Sequence, residues 1–356
     1  MDRDKAVPAL RAAAGLTMMG LLLANGAGAA TITVNASGGA MYTSIQDAIY
    51  ASNNGDTILV AAGIYNENVF VNKSVNLTGA GANVTIINAY DMDSNVIYIS
   101  QQDGVNICNF TVTGGTGGMH PMRSAGIFLS MTNNTNLSNN IVSTNFYGIY
   151  LFSANNTNLS DNNVNSNYLG IHLMLSSNNT VYNNFFNNTN NFINSSSGIN
   201  IWNTTKQAIT NIVGGLNIGG NFWANPSGTG FSQTCMDANI DGICDSSYML
   251  STGNEDYLPL AIPTGYINGS VKYNNSGISG AIVTTNTSIS TTTDASGFYS
   301  FKLPAGTYQL TATIDPEYYP YGSIAVTVEI GMTVELQDIT PIKMPTGNIT
   351  GIVSLV

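Results

Sequence analysis

Charged residues are scarce in this chain. Only 8% of its 356 residues are charged, and 9 lysines and arginines against 20 aspartates and glutamates leave a formal net charge of -11. Such an acidic surface repels polyanions, which argues against a nucleic-acid partner. Hydrophobic residues nevertheless make up 43% of the chain, and their regular return argues against disorder. The chain should therefore fold, and its length is typical of two domains.

Long apolar runs are also nearly absent. The one clear run, Ala12–Ala24, is too short to span a bilayer. It follows a basic start that contains Arg3, Lys5 and Arg11. Ala27-Gly28-Ala29 then has the small-x-small form that a signal peptidase cleaves. We expect a signal peptide over residues 1–29, with an uncleaved anchor as the alternative, and no transmembrane segment in the mature chain. The mature protein is then secreted or held at the cell surface.

Cysteine is rare, with three residues in the whole chain. Two of them, Cys235 and Cys244, flank one short loop, so a disulfide between them is plausible in an oxidising compartment. Asn-x-Ser/Thr acceptors are abundant and include Asn72, Asn133, Asn155 and Asn203. They fit a glycoprotein, although many such triplets arise by chance in a chain so rich in Asn and Thr.

A short apolar motif recurs along the middle of the chain. Copies 22 residues apart are Gly126–Leu129 (GIFL), Gly148–Leu151 (GIYL) and Gly170–Leu173 (GIHL). A fourth copy, Gly198–Ile201 (GINI), follows after 28 residues, which indicates a six-residue insertion. A fixed period of this length is typical of a stacked repeat architecture.

Each copy alternates apolar residues with other residues, which is the periodicity of a strand. Short strands and polar corners at one period per turn predict an all-β parallel β-helix with coils about 4.8 Å apart. Two columns should point inward: Ile127, Ile149, Ile171 and Ile199, and Leu129, Leu151, Leu173 and Ile201. Asn tolerates left-handed corners, and stacked amides can hydrogen-bond between coils, so we interpret the abundant asparagines as mainly architectural. Asn140, Asn162 and Asn184 share one register.

The stretch Tyr42–Ala51 (YTSIQDAIYA) predicts a short amphipathic helix with Thr43 or Ser44 as its cap. Its apolar face would contain Ile45, Ala48 and Ile49 and would close the first coil. This stretch and the following "GDTILVAAGIYNENVFVNKSVNLTGAG" resemble the opening of secreted right-handed β-helix proteins of the pectin-lyase-like class. With the repeats, the resemblance covers about residues 31–224 and implies the fold more than an activity.

The segment Gly219–Leu260 resembles the end of the β-helix in archaeal surface proteins of the copper-binding maturation-factor-like type. The resemblance is carried by "GGNFWANPSGTGFSQTC" and "EDYLPL". Copper handling belongs to one branch of that class, so the resemblance implies an archaeal envelope location more than a metal function.

Between the inward columns, one face of the predicted helix carries aromatic residues. If the register holds, the outward positions are Tyr98, Phe128, Tyr150, His172 and Asn200, and one step further Phe152, Met174 and Trp202. Rings at coil spacing suit the apolar faces of sugars, so this stripe is a candidate carbohydrate-binding site. The alternative is that a loop near residues 192–197 covers the rings, or that they only stabilise the sheet.

A second candidate site is an acidic loop between the two cysteines. Oxygen ligands at loop positions 1, 3, 5 and 9 are Asp237, Asn239, Asp241 and Asp245, with Gly242 at position 6. This is the arrangement of a Ca²⁺ loop, so we expect a structural calcium ion there. Position 12 is Tyr248 where a bidentate Glu is usual. A metal-free acidic turn tied by the disulfide is the alternative.

Two other functions remain open from the sequence. A polysaccharide lyase or hydrolase needs catalytic groups within one site, whereas Asp91, Asp93, Asp103 and Asp161 are scattered, so we predict no enzyme activity without excluding it. A copper-handling protein is suggested by the soft ligands of Met119–Met122 (MHPM), with Met131, Met174 and His172 in neighbouring coils. His120 and His172 are not in register, however.

The composition changes at Pro263. The stretches TTTDASGFYSF and LPAGTYQLT resemble the carboxypeptidase-regulatory-like, or Cna-B-like, β-sandwich, whose members are mostly stalk or binding modules. We predict this module over residues 263–344, after a β-helix over 30–262. Its opening PTGYINGSV returns 82 residues later as PTGNITGIV, which indicates the start of a truncated second module over 345–356, or chance similarity. The sequence thus predicts a secreted structural or adhesive protein whose partners are glycans or cell-envelope components.

Overall fold

The computed structural model describes residues 28–118, 123–314, 318–319, 321–336 and 338–344. Three segments with sequence-based expectations lie outside the described residues. They are residues 1–27 of the expected signal peptide, Met119–Met122, and residues 345–356 of the expected second module. The contacts divide the chain into two compact units. The first contains residues up to Thr204, Gly220–Gly230 and Tyr248–Tyr257, and the second contains Thr205–Gly219, Phe231–Ser247 and the chain from Leu258. This division differs from the expected boundary at residue 262.

Over its described residues, the first unit consists of short strands and one helix. In chain order they are β1 (Thr31–Val34), α1 (Ile45–Ala51), β2 (Thr57–Val60), β3 (Gly63–Asn66), β4 (Val69–Val71), β5 (Asn76–Gly79), β6 (Thr85–Asn88), β7 (Ile97–Ser100), β8 (Asn106–Cys108), β9 (Thr111–Thr113), β10 (Ala125–Ser130), β11 (Asn136–Ser138), β12 (Ile141–Ser143), β13 (Tyr147–Phe152), β14 (Asn158–Ser160), β15 (Asn163–Asn165), β16 (Leu169–Met174), β17 (Thr180–Tyr182), β18 (Phe185–Asn187), β19 (Asn190–Ser195), β20 (Phe222–Ala224), β21 (Tyr248–Ser251) and β22 (Asn254–Asp256).

Strands β1 to β20 form a parallel β-helix with three sheets along its sides, and β21 and β22 form a separate antiparallel hairpin. The first sheet has the order β1-β2-β5-β8-β11-β14-β17, the second β19-β16-β13-β10-β7-β4, and the third β20-β18-β15-β12-β9-β6-β3. In the second sheet Ile127 pairs with Ile149, and Ile149 pairs with Ile171, one coil to the next. All three are fully buried, so the predicted register and the all-β fold class are confirmed.

The predicted fourth copy of the motif is wrong. Strand β19 follows β16, and Phe192 lies in register with Ile171 where Ile199 was expected. Ile199 and Ile201 are 67% and 53% exposed, so they do not extend the inward columns. The coil therefore continues without the six-residue insertion, and the buried side chain of GINI is Asn200, not its two isoleucines.

The asparagines have two distinct structural roles. Corner residues adopt positive φ, as at Asn134, Asn156 and Asn178, where the short polar side chain tolerates the left-handed region. Asn140, Asn162 and Asn184 are instead buried and form a ladder, in which each backbone N–H and side-chain amide donates to the Oδ1 of the next Asn at 2.9 to 3.1 Å. This ladder confirms the predicted amide stacking between coils.

The repeated glycine of the motif is required by close packing. A Cβ atom on Gly148 would lie 2.5 Å from the carbonyl oxygen of Gly170 and 2.7 Å from Val164 Cγ1. Any larger residue would therefore push the next coil away from its hydrogen-bonding distance.

Helix α1 closes the first end of the β-helix, as predicted. Ser44 caps it by accepting from the backbone N–H of Asp47, and Ile45, Ala48 and Ile49 are buried. The Glu67 carboxylate accepts from the N–H groups of Ile45 and Gln46 at 2.9 Å, so both first-turn donors are satisfied.

The second unit contains a short helix, α2 (Phe231–Thr234), and a group of mainly antiparallel strands. These are β23 (Thr264–Ser270), β24 (Lys272–Tyr273), β25 (Ser276–Gly277), β26 (Ile282–Thr285), β27 (Ser290–Thr292), β28 (Phe298–Pro304), β29 (Gly306–Thr313), β30 (Tyr321–Val328) and β31 (Thr333–Glu335). A sheet of order β28-β23-β31 and a sheet of order β27-β26-β29-β30 enclose a core that includes Ile267, Val283, Phe301 and Leu310.

Candidate functional site

The expected aromatic residues lie in one column on the outer face of the second sheet. Tyr98 pairs with Phe128, Phe128 with Tyr150 and Tyr150 with His172, and Phe70 extends the column by one coil. Neighbouring ring centroids are 4.4 to 5.3 Å apart, because each coil places its ring directly above the last. We call these five residues the aromatic column.

The rings of the column contact one another more than they contact solvent. Tyr98 and Phe128 stack with an interplanar angle of 19°, and Tyr150 and His172 with 17°. Phe128 and Tyr150 are each only 3% exposed. The expectation of a uniformly exposed stripe is therefore wrong, since the middle of the column is covered by neighbouring side chains such as Tyr147 and Leu169.

Solvent reaches the column at its Phe70 end, where a groove of about 560 Å³ opens. Its lining residues are Asn68, Val69, Phe70, Ser94, Asn95, Tyr98, Arg123, Phe128, Ser130, Met131 and Phe152. Aromatic rings form the floor, and amide, hydroxyl and guanidinium groups form the walls. Apolar pockets with a few polar groups are the usual form of a small-molecule site, and this volume lies in their range.

The polar wall is held in place by hydrogen bonds. Asn68 Nδ2 donates to the carbonyl oxygens of Asp91 and Asn95 at 3.0 Å, and Asn68 Oδ1 accepts from the N–H of Asp91. Asn95 Oδ1 accepts from the N–H of Ala125 at 3.0 Å. These amides fix the loop between β6 and β7, so the groove is built into the coils.

Arg123 places a positive charge at the groove. A hydrogen bond from the Ser94 hydroxyl and one from the Asp93 N–H hold the pKa of Asp91 below its usual value, and the nearby Arg123 charge adds to this effect. Within the described part of the chain, no hydrogen bond or ion pair occupies the Arg123 guanidinium. None of the described residues that line the groove is Asp or Glu.

Two other predicted members of the carbohydrate site do not lie together. Phe152 lines the groove and is half-buried. Trp202 is fully buried, and its Nε1 donates to Asn254 Oδ1 at 3.0 Å, so its assignment to an exposed stripe is wrong. Trp202 helps to close the end of the β-helix. Its hydrogen-bond partner Asn254 lies in the hairpin of β21 and β22, about fifty residues later in the chain.

His172 is held in one position at the far end of the aromatic column. Its Nε2 lies 2.9 Å from the hydroxyl oxygen of Ser195, and its Nδ1 is buried without a hydrogen-bond partner. Burial lowers the pKa of His172 below its ordinary value, so the neutral imidazole is favoured. The sulfur of Met174 accepts a hydrogen bond from the Tyr150 hydroxyl at 3.2 Å, so this sulfur is already used within the aromatic column.

The acidic loop of the second unit is closed by its own hydrogen bonds. Asp237 is buried, and its two carboxylate oxygens accept from the N–H groups of Asp241 and Gly242. Asp241 also forms an ion pair with Lys206, and Asp245 accepts from the N–H of Ala238. A disulfide joins Cys235 to Cys244. Among the described residues, no group of three or more His, Cys, Asp or Glu side chains is arranged to hold a metal ion.

None of the described helices is both long and apolar enough to cross a membrane. No curated protein sequence matches the chain. A family model for the carboxypeptidase regulatory-like domain matches residues 266–341, which confirms the predicted identity of the C-terminal module.

Several solved structures are similar to the chain. The catalytic domain of a GH87 α-1,3-glucanase in complex with nigerose is 21% identical with a TM-score of 0.42, and the match covers 51% of this chain and 34% of the glucanase chain. Pectin methylesterase from carrot is 15% identical with a TM-score of 0.35, over 50% of this chain and 65% of that chain. GBS52, the minor pilin of Streptococcus agalactiae, is 19% identical with a TM-score of 0.22, and the match covers 28% of this chain and 52% of the pilin chain. The chain thus spans about a third of the glucanase domain.

A second family model matches residues 17–228, which is more than half of the 356 residues and contains all the paired coils. Its description is periplasmic copper-binding protein (NosD). The chain therefore belongs to the NosD family of β-helix proteins.

Proposed function

We propose that this protein is an exported structural or adhesive protein of the cell envelope that binds glycans in the groove at the Phe70 end of the aromatic column. The observation that carries the proposal is the groove itself, in which aromatic rings lie beside fixed amide and hydroxyl groups. Rings provide apolar contact for the C–H faces of a sugar, and polar side chains can bind its hydroxyl groups. The periplasmic description of the family and the sandwich module support a location outside the cytoplasm.

Binding is favoured over cleavage because the described lining of the groove contains no acid and base pair. Glycoside hydrolysis uses two carboxyl groups on either side of the bond that breaks. None of the residues that line the groove in the described chain has a carboxyl group. Asp103 and Asp161, two of the acidic residues in the coils, accept hydrogen bonds from Asn133 and Asn183 respectively.

A glycan array with single variants tests the proposal. Tyr98→Ala and Phe70→Ala each remove a ring from the groove, and we expect each to weaken binding about tenfold or more, since a stacked ring is typically worth 0.5 to 1.5 kcal/mol beyond its buried area. Tyr168→Ala is the matched control, because Tyr168 is 50% exposed and does not line the groove. Binding that is absent from the array, or that survives both groove variants, would contradict the proposal.

Copper handling is a second candidate, favoured by the family description. Met119, His120 and Met122 lie outside the described residues, but Met131 is 49% exposed and lines the groove. Titration of the purified protein with Cu(I) tests this function, with Met131→Leu as the variant that removes the sulfur and keeps the apolar volume. A stoichiometric site that Met131→Leu weakens supports it, and the absence of Cu(I) binding rejects it.

A further inference from the structure

Arg123 is an unusual residue for its surroundings. Within the first unit, the described residues contain two cationic side chains, Lys73 and Arg123. Lys73 is occupied, because its ammonium group donates to the carbonyl oxygens of Tyr50 and Ser52 next to helix α1. Arg123 is exposed, lines the groove and acts on Asp91 only through its charge. Among the described residues it has no hydrogen-bond or ion-pair partner, so its guanidinium donors are available at the proposed glycan site.

A guanidinium group binds carboxylate and sulfate oxygens through two parallel N–H donors, which makes it a specific receptor for one acidic group. Among the described residues that line the groove, none carries a carboxylate, and Asp91, the acidic side chain on which the Arg123 charge acts, lies outside the lining.

The rest of the molecule opposes a densely charged ligand. The formal net charge is -11, and Asp91 and Asp93 lie on the loop that carries part of the groove wall. Long-range repulsion therefore disfavours a polyanion, while a single anionic group can be neutralised by the single guanidinium.

We propose that the groove recognises a mainly neutral glycan that carries one isolated acidic group, a carboxylate or a sulfate ester, which Arg123 binds while Phe70 and Tyr98 contact the adjacent sugar. This inference rests on the proposed glycan-binding function and adds the chemical class of the ligand.

The experiment compares the full chain on matched oligosaccharides. The probes are cellotetraose, maltotetraose and lacto-N-tetraose, each in a neutral form, a form with one uronate, a form with one sulfate ester and a fully oxidised or multiply sulfated form. We expect at least one singly acidic probe to bind about tenfold more tightly than its neutral parent, since a charge-assisted hydrogen bond is worth roughly 1.5 to 3 kcal/mol. The densely charged form should bind more weakly than the singly charged form. The uronate and sulfate arms identify which acid is preferred.

Three variants separate the possible outcomes. Arg123→Gln should reduce the ratio of acidic-probe to neutral-probe affinity to about one, and Arg123→Lys should restore part of that ratio. Lys272→Gln, which removes an exposed charge in the second unit, should have no effect. Tyr98-dependent binding without any acidic preference, or a preference that Arg123→Gln leaves intact, overturns this inference but retains the proposed function. Failure of every probe, and of the glycan array, overturns both.

Discussion

At the residue scale, the clearest consequence of burial concerns His172. Its imidazole is stacked on Tyr150 and lies near Tyr147, and its Nδ1 has no hydrogen-bond partner. A charged imidazolium would lose hydration there without gaining an acceptor for that nitrogen. The aromatic column therefore favours the neutral form of His172, whose pKa is lowered by burial.

This arrangement predicts a pH-dependent loss of stability. The pKa of His172 is lowered in the folded protein, whereas the unfolded value is about 6.5. The unfolded state then binds more protons, so this contribution to stability is complete above about pH 6.5 and is lost as the pH falls towards the lower folded pKa. His172→Phe, which keeps a ring in the column, should lose less unfolding free energy between pH 7 and pH 5 than the wild type.

Urea unfolding of both proteins at several pH values measures this difference. Carboxylates with lowered pKa values, such as Asp56 and Asp294, contribute an acid-induced loss that both proteins share. Parallel pH profiles for the two proteins would show that His172 titrates normally and would contradict the prediction.

At the scale of single elements, the asparagine that recurs in each repeat forms a ladder of hydrogen bonds between neighbouring coils. Asn162 is fully buried, and its amide donates to the carbonyl oxygens of Leu137 and Ser160 as well as to Asn184. Its Oδ1 accepts from both nitrogens of Asn140. Every polar atom of the side chain is therefore used inside a core where water cannot replace it.

Asn162→Ala should destabilise the first unit by roughly 3 kcal/mol or more, because each buried group left without a partner costs about 1 to 3 kcal/mol. Asn165→Ala is the control from the same coil, since Asn165 is half-buried and its amide bonds only the neighbouring Asn163 side chain. It should cost less than about 1 kcal/mol. Chemical denaturation compares them, and equal losses for the two variants would reject the ladder as a source of stability.

Calcium binding by the acidic loop, residues 237–245, remains a prediction. Positions 1 and 5 of the loop, Asp237 and Asp241, accept hydrogen bonds from backbone N–H groups, and Lys206 already balances part of the charge of Asp241. If calcium binds, millimolar CaCl₂ should raise the melting temperature through preferential binding to the folded state, and MgCl₂ should not. Asp241→Asn should abolish the increase.

An unchanged melting temperature in CaCl₂ and EDTA would instead show that the loop is a metal-free turn. Asp294→Asn is the charge-matched control for Asp241→Asn, because Asp294 lies in the second unit but outside the loop. A calcium effect that both variants abolish would not come from the loop.

The coils with a constant period could be predicted from the sequence, and the end of the helix could not. Ile149 and Leu151 are bracketed by equivalent residues one period away, so the pattern alone sets their register. In the last coil Phe192 replaces the expected Ile, and Asn194 lies in register with Leu173 where an apolar residue was expected. GINI therefore matched the motif better than the true strand did. The positions of Asn200 and Trp202 depend on hydrogen bonds to Asn254 of β22, more than fifty residues away in sequence. A repeat period cannot predict such a distant partner.

The same limit applies to the candidate site. The column of Tyr98, Phe128, Tyr150 and His172 follows from register, but its exposure depends on side chains from the adjacent corners. Asn68 and Arg123 lie outside the repeated motif, so nothing in the pattern indicated that they line the groove. Phe70 could have been found, since it lies one coil before Tyr98 within the alternating stretch VFV.

At the scale of the whole molecule, the chain returns to the first unit to close its second end. After Thr204 the first unit receives only Gly220–Gly230 and the hairpin segment Tyr248–Tyr257, while the intervening residues belong to the second unit. Two asparagine ladders end on this hairpin. One reaches Asn254 through Asn179 and Asn200, and the other reaches the Asp256 carboxylate through Asn184 and Asn221.

Asp256 is fully buried and completes the end of its ladder. Its Oδ2 accepts from the backbone N–H of Asn221 and from the indole Nε1 of Trp223, both at 2.8 Å. An end of a parallel sheet without such partners exposes unpaired backbone groups and the core to water. The cap at this end therefore combines buried polar groups with the indoles of Trp202 and Trp223, whereas α1 caps the first end mainly with apolar side chains.

Asp256→Ala should loosen the last coils while leaving the sandwich strands intact. We expect faster amide hydrogen exchange in peptides that contain β17, β18 and β20, because local opening follows the loss of buried partners. Peptides from β23, β28 and β29 should exchange as in the wild type, since they belong to the second unit. Asp93→Ala, which removes an exposed carboxylate from the first unit, is the control and should change neither set. Uniform acceleration across both units would mean that they unfold as one cooperative body, and that the hairpin supports the whole chain.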